Sequence, residues 1–112
     1  MAQFLLEVAY TSQSWASLVK SPQDRSLVVQ AAVEKLGGKI DRVWLSFGEY
    51  DVVVIADMPD AVSAAAFSMA ISAGGSCKTV KTTPLLTIAE GLDAMKRAST
   101  CGYQPVARAA SA

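Results

Sequence analysis

Along residues 2–10 apolar and polar side chains alternate. Phe4, Leu6, Val8 and Tyr10 fall on one side, and Gln3, Leu5, Glu7 and Ala9 on the other. A period of two is strand geometry with one stronger apolar face. The period then lengthens: Trp15, Leu18 and Val19 take helical spacing behind Thr11, whose hydroxyl can accept from a free amide of a first helical turn. Ser21-Pro22 predicts a second helix start, because proline is tolerated at a first helical position behind a serine cap. That helix runs over 22–36 with Val29, Ala32, Val33 and Leu36 on one stripe, and Gly37-Gly38 stops it.

A second strand is predicted over 39–47, with Val43, Leu45 and Phe47 facing one way and Ile40, Arg42, Trp44 and Ser46 the other. Gly48-Glu49 reads as a two-residue hairpin turn. It leads into a third strand over 50–57, whose run Val52-Val53-Val54-Ile55-Ala56 suits a central strand covered on both faces. Asp60 or Asp57 caps a third helix over 61–73, rich in alanine, with Val62, Met69 and Ala73 assigned to its inner side. A fourth strand over 76–83 sets Lys78, Val80 and Thr82 against Cys77, Thr79, Lys81 and Thr83, and Pro84 marks its end or an edge. Thr87-Ile88-Ala89-Glu90 is a capping box opening a last helix with Leu92, Met95 and Ala98 inward.

The order β-α-β-β-α-β plus a terminal helix, with short and right-handed connections, predicts an α+β ferredoxin-like fold: a four-stranded antiparallel sheet with helices on one face. The hairpin turn fixes the pairing of Leu45 with Val52, Trp44 with Val53, Val43 with Val54 and Arg42 with Ile55. Directly opposed residues share a face. Val43, Leu45, Val52 and Val54 therefore belong under the helices. The other face collects Leu5, Trp44, Val53 and Ile55 with Glu7, Arg42, Ser46 and Asp51. So apolar a face is an interaction surface, and a second copy of the chain is the expected cover.

Composition narrows the chemistry. The chain has 112 residues, 52% of them hydrophobic and 18% charged, which fits one globular domain. Ten basic and ten acidic residues cancel, and the central strands lack the exposed aromatics with basic flanks that RNA recognition needs, so nucleic acid is not an expected partner. No apolar run approaches the roughly 18 residues of a membrane span. Histidine is absent, which removes imidazole acid–base catalysis and the commonest metal ligand. Cys77 and Cys101 match no disulfide framework or metal motif. With Met1-Ala2-Gln3-Phe4 lacking a signal peptide's charged region, the expectation is a cytoplasmic protein with reduced thiols and no metal or cofactor.

The stretch Phe47-Gly48-Glu49-Tyr50-Asp51-Val52-Val53-Val54-Ile55, followed by Pro59-Asp60, resembles the signature of the GYD domain family. Tyr10-Thr11, Gly37-Gly38 and 79–87 support it, and Glu49 interrupts the eponymous triplet. The resemblance spans about residues 2–96. It implies a ferredoxin-like domain of the dimeric α+β barrel type and no established activity. The expected organisation is such a domain over 1–99 and a flexible tail over 100–112. Glu7, Arg42, Trp44, Tyr50 and Asp51 are the candidate ligand-binding residues, as polar and aromatic points of a small-molecule pocket on the helix-free face. Tyr50 and Asp51 at the hairpin mouth can orient or deprotonate a small acid; equally, Asp51 can serve the turn amides. Two functions follow: a homo-oligomeric small-molecule-binding or cofactor-free enzyme domain, or a non-catalytic self-assembly module whose face is consumed by its own partner.

Overall fold

The computed structural model describes residues 1–107. Its elements are β1 (Ala2–Tyr10), α1 (Ser12–Lys20), α2 (Ser26–Lys35), β2 (Lys39–Leu45), β3 (Val52–Met58), α3 (Ala61–Ala73), β4 (Cys77–Leu85) and α4 (Ile88–Ala98). All pairings are antiparallel, in the order β2-β3-β1-β4. This is the ferredoxin-like arrangement, with β1 and β3 central and β4, carrying Pro84, at an edge. Residues 102–107 form no helix or strand, and the remainder of the expected tail, 108–112, lies outside the described residues.

The core lies between the sheet and α2 and α3. Phe4, Leu6 and Val8 come from β1, Val52, Val54, Ala56 and Met58 from β3, Val33 from α2, and Ala64 and Phe67 from α3. The hairpin register is the expected one, from Leu45↔Val52 to Arg42↔Ile55. The strands stop short of the turn, however, and Phe47 is fully exposed. Three starts are capped by side chains: Thr11 accepts from the Ser14 amide, Asp60 from the Ser63 amide, and Thr87 and Glu90 exchange the two bonds of a capping box. Gly37, at φ +82°, ends α2 in a conformation that glycine takes without strain, while the Gly37 and Gly38 amides return to the carbonyls of Glu34 and Val33.

Several expectations are corrected. Helix α2 starts at Ser26 and not at Pro22, because the Asp24 carboxylate accepts the Ser26 amide and fixes a turn there. A bulge at Asp41 puts Ile40 opposite Ala56 on the core side, and one at Lys78 puts Cys77 on the same side as Val80. In each case one extra residue reverses the alternation. Helix α3 buries Ala64 and Phe67 and leaves Val62 and Met69 exposed; apart from Ser63, Ser68 and Ser72 its side chains are apolar and carry no charge, so bulk and not a polar stripe sets its rotation. Leu45, expected under the helices, is 74% exposed at the rim of an open cavity that it shares with Leu18 and Val19 of α1. Leu92 and Met95 point away from any core, and no residue of α4 is buried.

Candidate functional site

The two faces of the sheet differ in what covers them. On the helix-free face the register lays out two cross-strand rows. Trp44, Val53, Glu7 and Lys81 form one, and Arg42, Ile55, Leu5 and Thr83 the next. Leu5, Glu7, Val53 and Ile55 are half-buried and Trp44 is 48% exposed. Glu7 and Arg42 share this face but not a contact. They sit in adjacent rows with β3 between their strands, a separation of roughly 10 Å at ordinary strand spacing. Among the described residues the ion pair within bonding distance is Arg97–Asp93 on α4; Glu7 stands directly opposite Lys81 across β1 and β4 without a bonded contact, and Arg42 makes no ion pair.

Asp51 and Tyr50 have different surroundings. The Asp51 carboxylate turns to the end of β1, where Oδ2 accepts the Tyr10 amide at 2.8 Å. Its own amide donates to Val8 and its carbonyl accepts from Ser46, each at 2.8 Å. Asp51 thus ties three segments together: β1, the end of β2 and the start of β3. The Tyr10 amide lies beyond the last β1–β3 pair, Val8↔Val52, so the Asp51 carboxylate supplies the acceptor that a continued ladder would have given. Tyr50 is half-buried in the hairpin loop, its carbonyl accepting from the Ser46 hydroxyl at 2.7 Å. Glu7, Arg42 and Trp44 are therefore grouped on one face, while Tyr50 and Asp51 lie at the hairpin mouth.

The helical side carries a second concentration of chemistry that the pattern of the chain did not single out. Helix α2 packs on β2 and α3 on β4, and between them the central strands floor a cavity of about 280 Å³. Leu6, Val54, Val29, Phe67 and Ile71 line its body, and Tyr10, Arg25 and Cys77 stand on its wall. A neighbouring cavity of about 410 Å³ shares Tyr10 and Arg25 and extends toward Trp15 and Val43. Tyr10 meets Trp15 edge-on, with ring centroids 5.3 Å apart and planes at 84°.

Burial pushes the Tyr10 phenol above its ordinary range, and the Cys77 and Asp51 charges add to this while Arg25 opposes it. Burial raises the Cys77 thiol as well, again against Arg25 and with Asp51. Both groups are therefore protonated near neutrality: Tyr10 is a donor and Cys77 a poor nucleophile. Tyr10 was legible as the last core-facing position of β1. Arg25 was not, because it gains its place only when α2 starts at Ser26.

No group of three or more His, Cys, Asp or Glu side chains able to hold a metal occurs among the described residues, and no helix there is long and apolar enough to cross a membrane. Comparison with curated proteins gives no match. The interrupted Gly48-Glu49-Tyr50-Asp51 stretch, the sheet order and the Asp51 tie all fall within residues 4–95, which match the GYD domain, and the chain belongs to that family.

Proposed function

We propose that this GYD domain works as a homodimer whose helix-free sheet faces pack together and enclose a site for a small molecule. Trp44, Leu5, Val53 and Ile55 form its apolar walls, and Glu7 and Arg42, with Tyr50 at the rim, its polar contacts. The observation that carries this reading is the pair of cross-strand rows, in which the partly exposed apolar side chains Trp44, Val53, Ile55 and Leu5 lie among the charged Glu7, Lys81 and Arg42. A face of this kind is stabilised by exclusion from water. Its charges then need partners, which a copy related by two-fold symmetry or a small acid supplies, and a planar Arg42 fork suits a carboxylate. Asp51 is committed to the Tyr10 amide, so the reading assigns it to holding the hairpin and not to the ligand.

Trp44 gives the test. Its 48% exposure corresponds to roughly 120 Å² for a side chain of about 250 Å², or about 3 kcal/mol if covered. The residue counts twice in an isologous interface. Sedimentation equilibrium is expected to show a wild-type dimer at micromolar concentration and a Trp44→Ala dimer weakened at least about a hundredfold, with unchanged circular dichroism. In a Trp15→Phe background, small aromatic or enolisable acids are expected to shift Trp44 emission. A wild-type monomer refutes the dimer, and a silent Trp44 across the acid panel refutes the ligand.

A further inference from the structure

The cavity between α2 and α3 lies on the opposite side of the sheet from the proposed dimer face and wholly within one chain. Its body is hydrocarbon, and its volume of about 280 Å³ is at the small end for ligand pockets, too small for a drug-sized molecule. Its polar groups are gathered on one wall. The Tyr10 phenol and Cys77 thiol stay protonated there, and Arg25 brings a permanent positive charge. The guanidinium donates a hydrogen bond to the neutral Gln23 side chain, at 3.3 Å, and no carboxylate among the described residues lies within ion-pair distance of it. Asp51 is near enough to influence Tyr10, but it does not line the cavity, and its Oδ2 is held by the Tyr10 amide. An apolar chamber with one uncommitted cation and a phenolic donor at one end has the polarity of an amphiphile's complement.

We propose that this cavity is a binding site for a small apolar monocarboxylate, with its hydrocarbon body among Leu6, Val29, Phe67 and Ile71, its carboxylate against Arg25, and the Tyr10 hydroxyl donating to it. The hydrocarbon part is recognised by burial. The carboxylate is recognised by a charge-assisted bond that a neutral head group of the same length does not make. Cys77 serves as wall and takes no covalent part.

Octanoate and 1-octanol, equal in chain length and different in charge, are the probes. In ¹H–¹⁵N spectra of the full chain, octanoate is expected to cause saturable shifts at Tyr10, Val29, Phe67 and Cys77 and none at Arg42 or Trp44. Arg25→Gln alters an exposed side chain and is expected to weaken octanoate about tenfold or more while leaving octanol within about twofold. Ala70→Leu, which adds bulk from a lining position on α3, is expected to weaken both probes. The spectra of each variant report folding directly. The proposal is overturned if octanoate causes no saturable shift, if the shifts gather on the helix-free face, if Arg25→Gln leaves the octanoate-to-octanol preference unchanged, or if Ala70→Leu binds both probes as the wild type does. A chain found to be monomeric loses the dimer-face reading and keeps this site.

Discussion

Replacing Asp51 separates a carboxylate that holds the hairpin from one that serves a ligand. The side chain accepts the Tyr10 amide at 2.8 Å in a half-buried setting. A hydrogen bond to a charged group contributes about 1.5–3 kcal/mol, toward the lower end where water has access. Asp51→Ala removes the acceptor and leaves the Tyr10 amide to water, so about 2 kcal/mol is lost. Asp51→Asn keeps a carbonyl oxygen in the same place and loses only the charge, about 0.5–1 kcal/mol. Urea unfolding reads this directly. With a slope of about 1.3 kcal/mol per M for a small domain, the midpoint falls by about 1.5 M for alanine and about 0.5 M for asparagine. Trp15, edge-on to Tyr10, is a local reporter in a Trp44→Phe background. Its emission is expected to change at lower urea than the circular dichroism in the alanine variant, as the β1–α1 corner opens first. An alanine variant that unfolds at the wild-type midpoint refutes the anchoring role, and lost ligand response at unchanged stability would return Asp51 to the binding site.

Gly38 lies where β2 leaves α2, and a methyl group there would meet Met58 Sδ at 2.5 Å, the Asp57 carbonyl oxygen at 2.7 Å and Val33 Cγ1 at 3.0 Å. Methionine can move but backbone cannot, so Gly38→Ala is expected to cost about 3 kcal/mol and lower Tm by about 10–20 °C by calorimetry; an unchanged Tm refutes the close approach. Asp24, Asp60 and Glu90 are held below their ordinary values of 3.8, 3.8 and 4.5 by hydrogen bonds from Ser26, Ser63 and Thr87 respectively. Since the folded values are depressed, their stabilisation is complete above the unfolded values and is lost as the pH falls through the folded ones. Urea midpoints measured from about pH 6 down to about pH 3 should stay level at first and drop below about pH 4, and the drop should shrink in Asp60→Asn, which keeps a capping oxygen without the titration.

The parts of the fold that could be read from the chain are those where one residue type has one physical use. Thr87 and Glu90 three apart cap a helix reciprocally wherever they stand, and Gly37-Gly38 ends one because a left-handed residue is needed there. The hairpin register followed from the turn and from Val43, Val52 and Val54 needing the same face. The failures share a different cause. Alternation assumes an unbroken pleat, and the bulges at Asp41 and Lys78 break it without any glycine or proline to announce them. Helix α3 shows the same insensitivity in helical form: with alanine on every side, only the bulk of Phe67 decides which stripe is buried.

Legibility of the candidate site divides in the same way. Glu7, Arg42 and Trp44 were brought to one face by the register alone, because that part of β2 lies beyond its bulge and in step with β3. The cavity on the other face depends on relations no local pattern contains. Arg25 reaches its wall because Asp24 starts α2 a turn late, and Cys77 turns inward because the bulge at Lys78 reverses it. The gap itself lies between α2, which packs mainly on β2, and α3, which packs mainly on β4, with side chains of β1 and β3 as its floor. The same departures from regularity that defeat alternation therefore gather Tyr10, Arg25 and Cys77. The extra residue is what makes this so: in an unbroken pleat containing Lys78, Cys77 would fall on the helix-free side with Thr79, and the bulge returns it opposite Tyr10 and beside Val80.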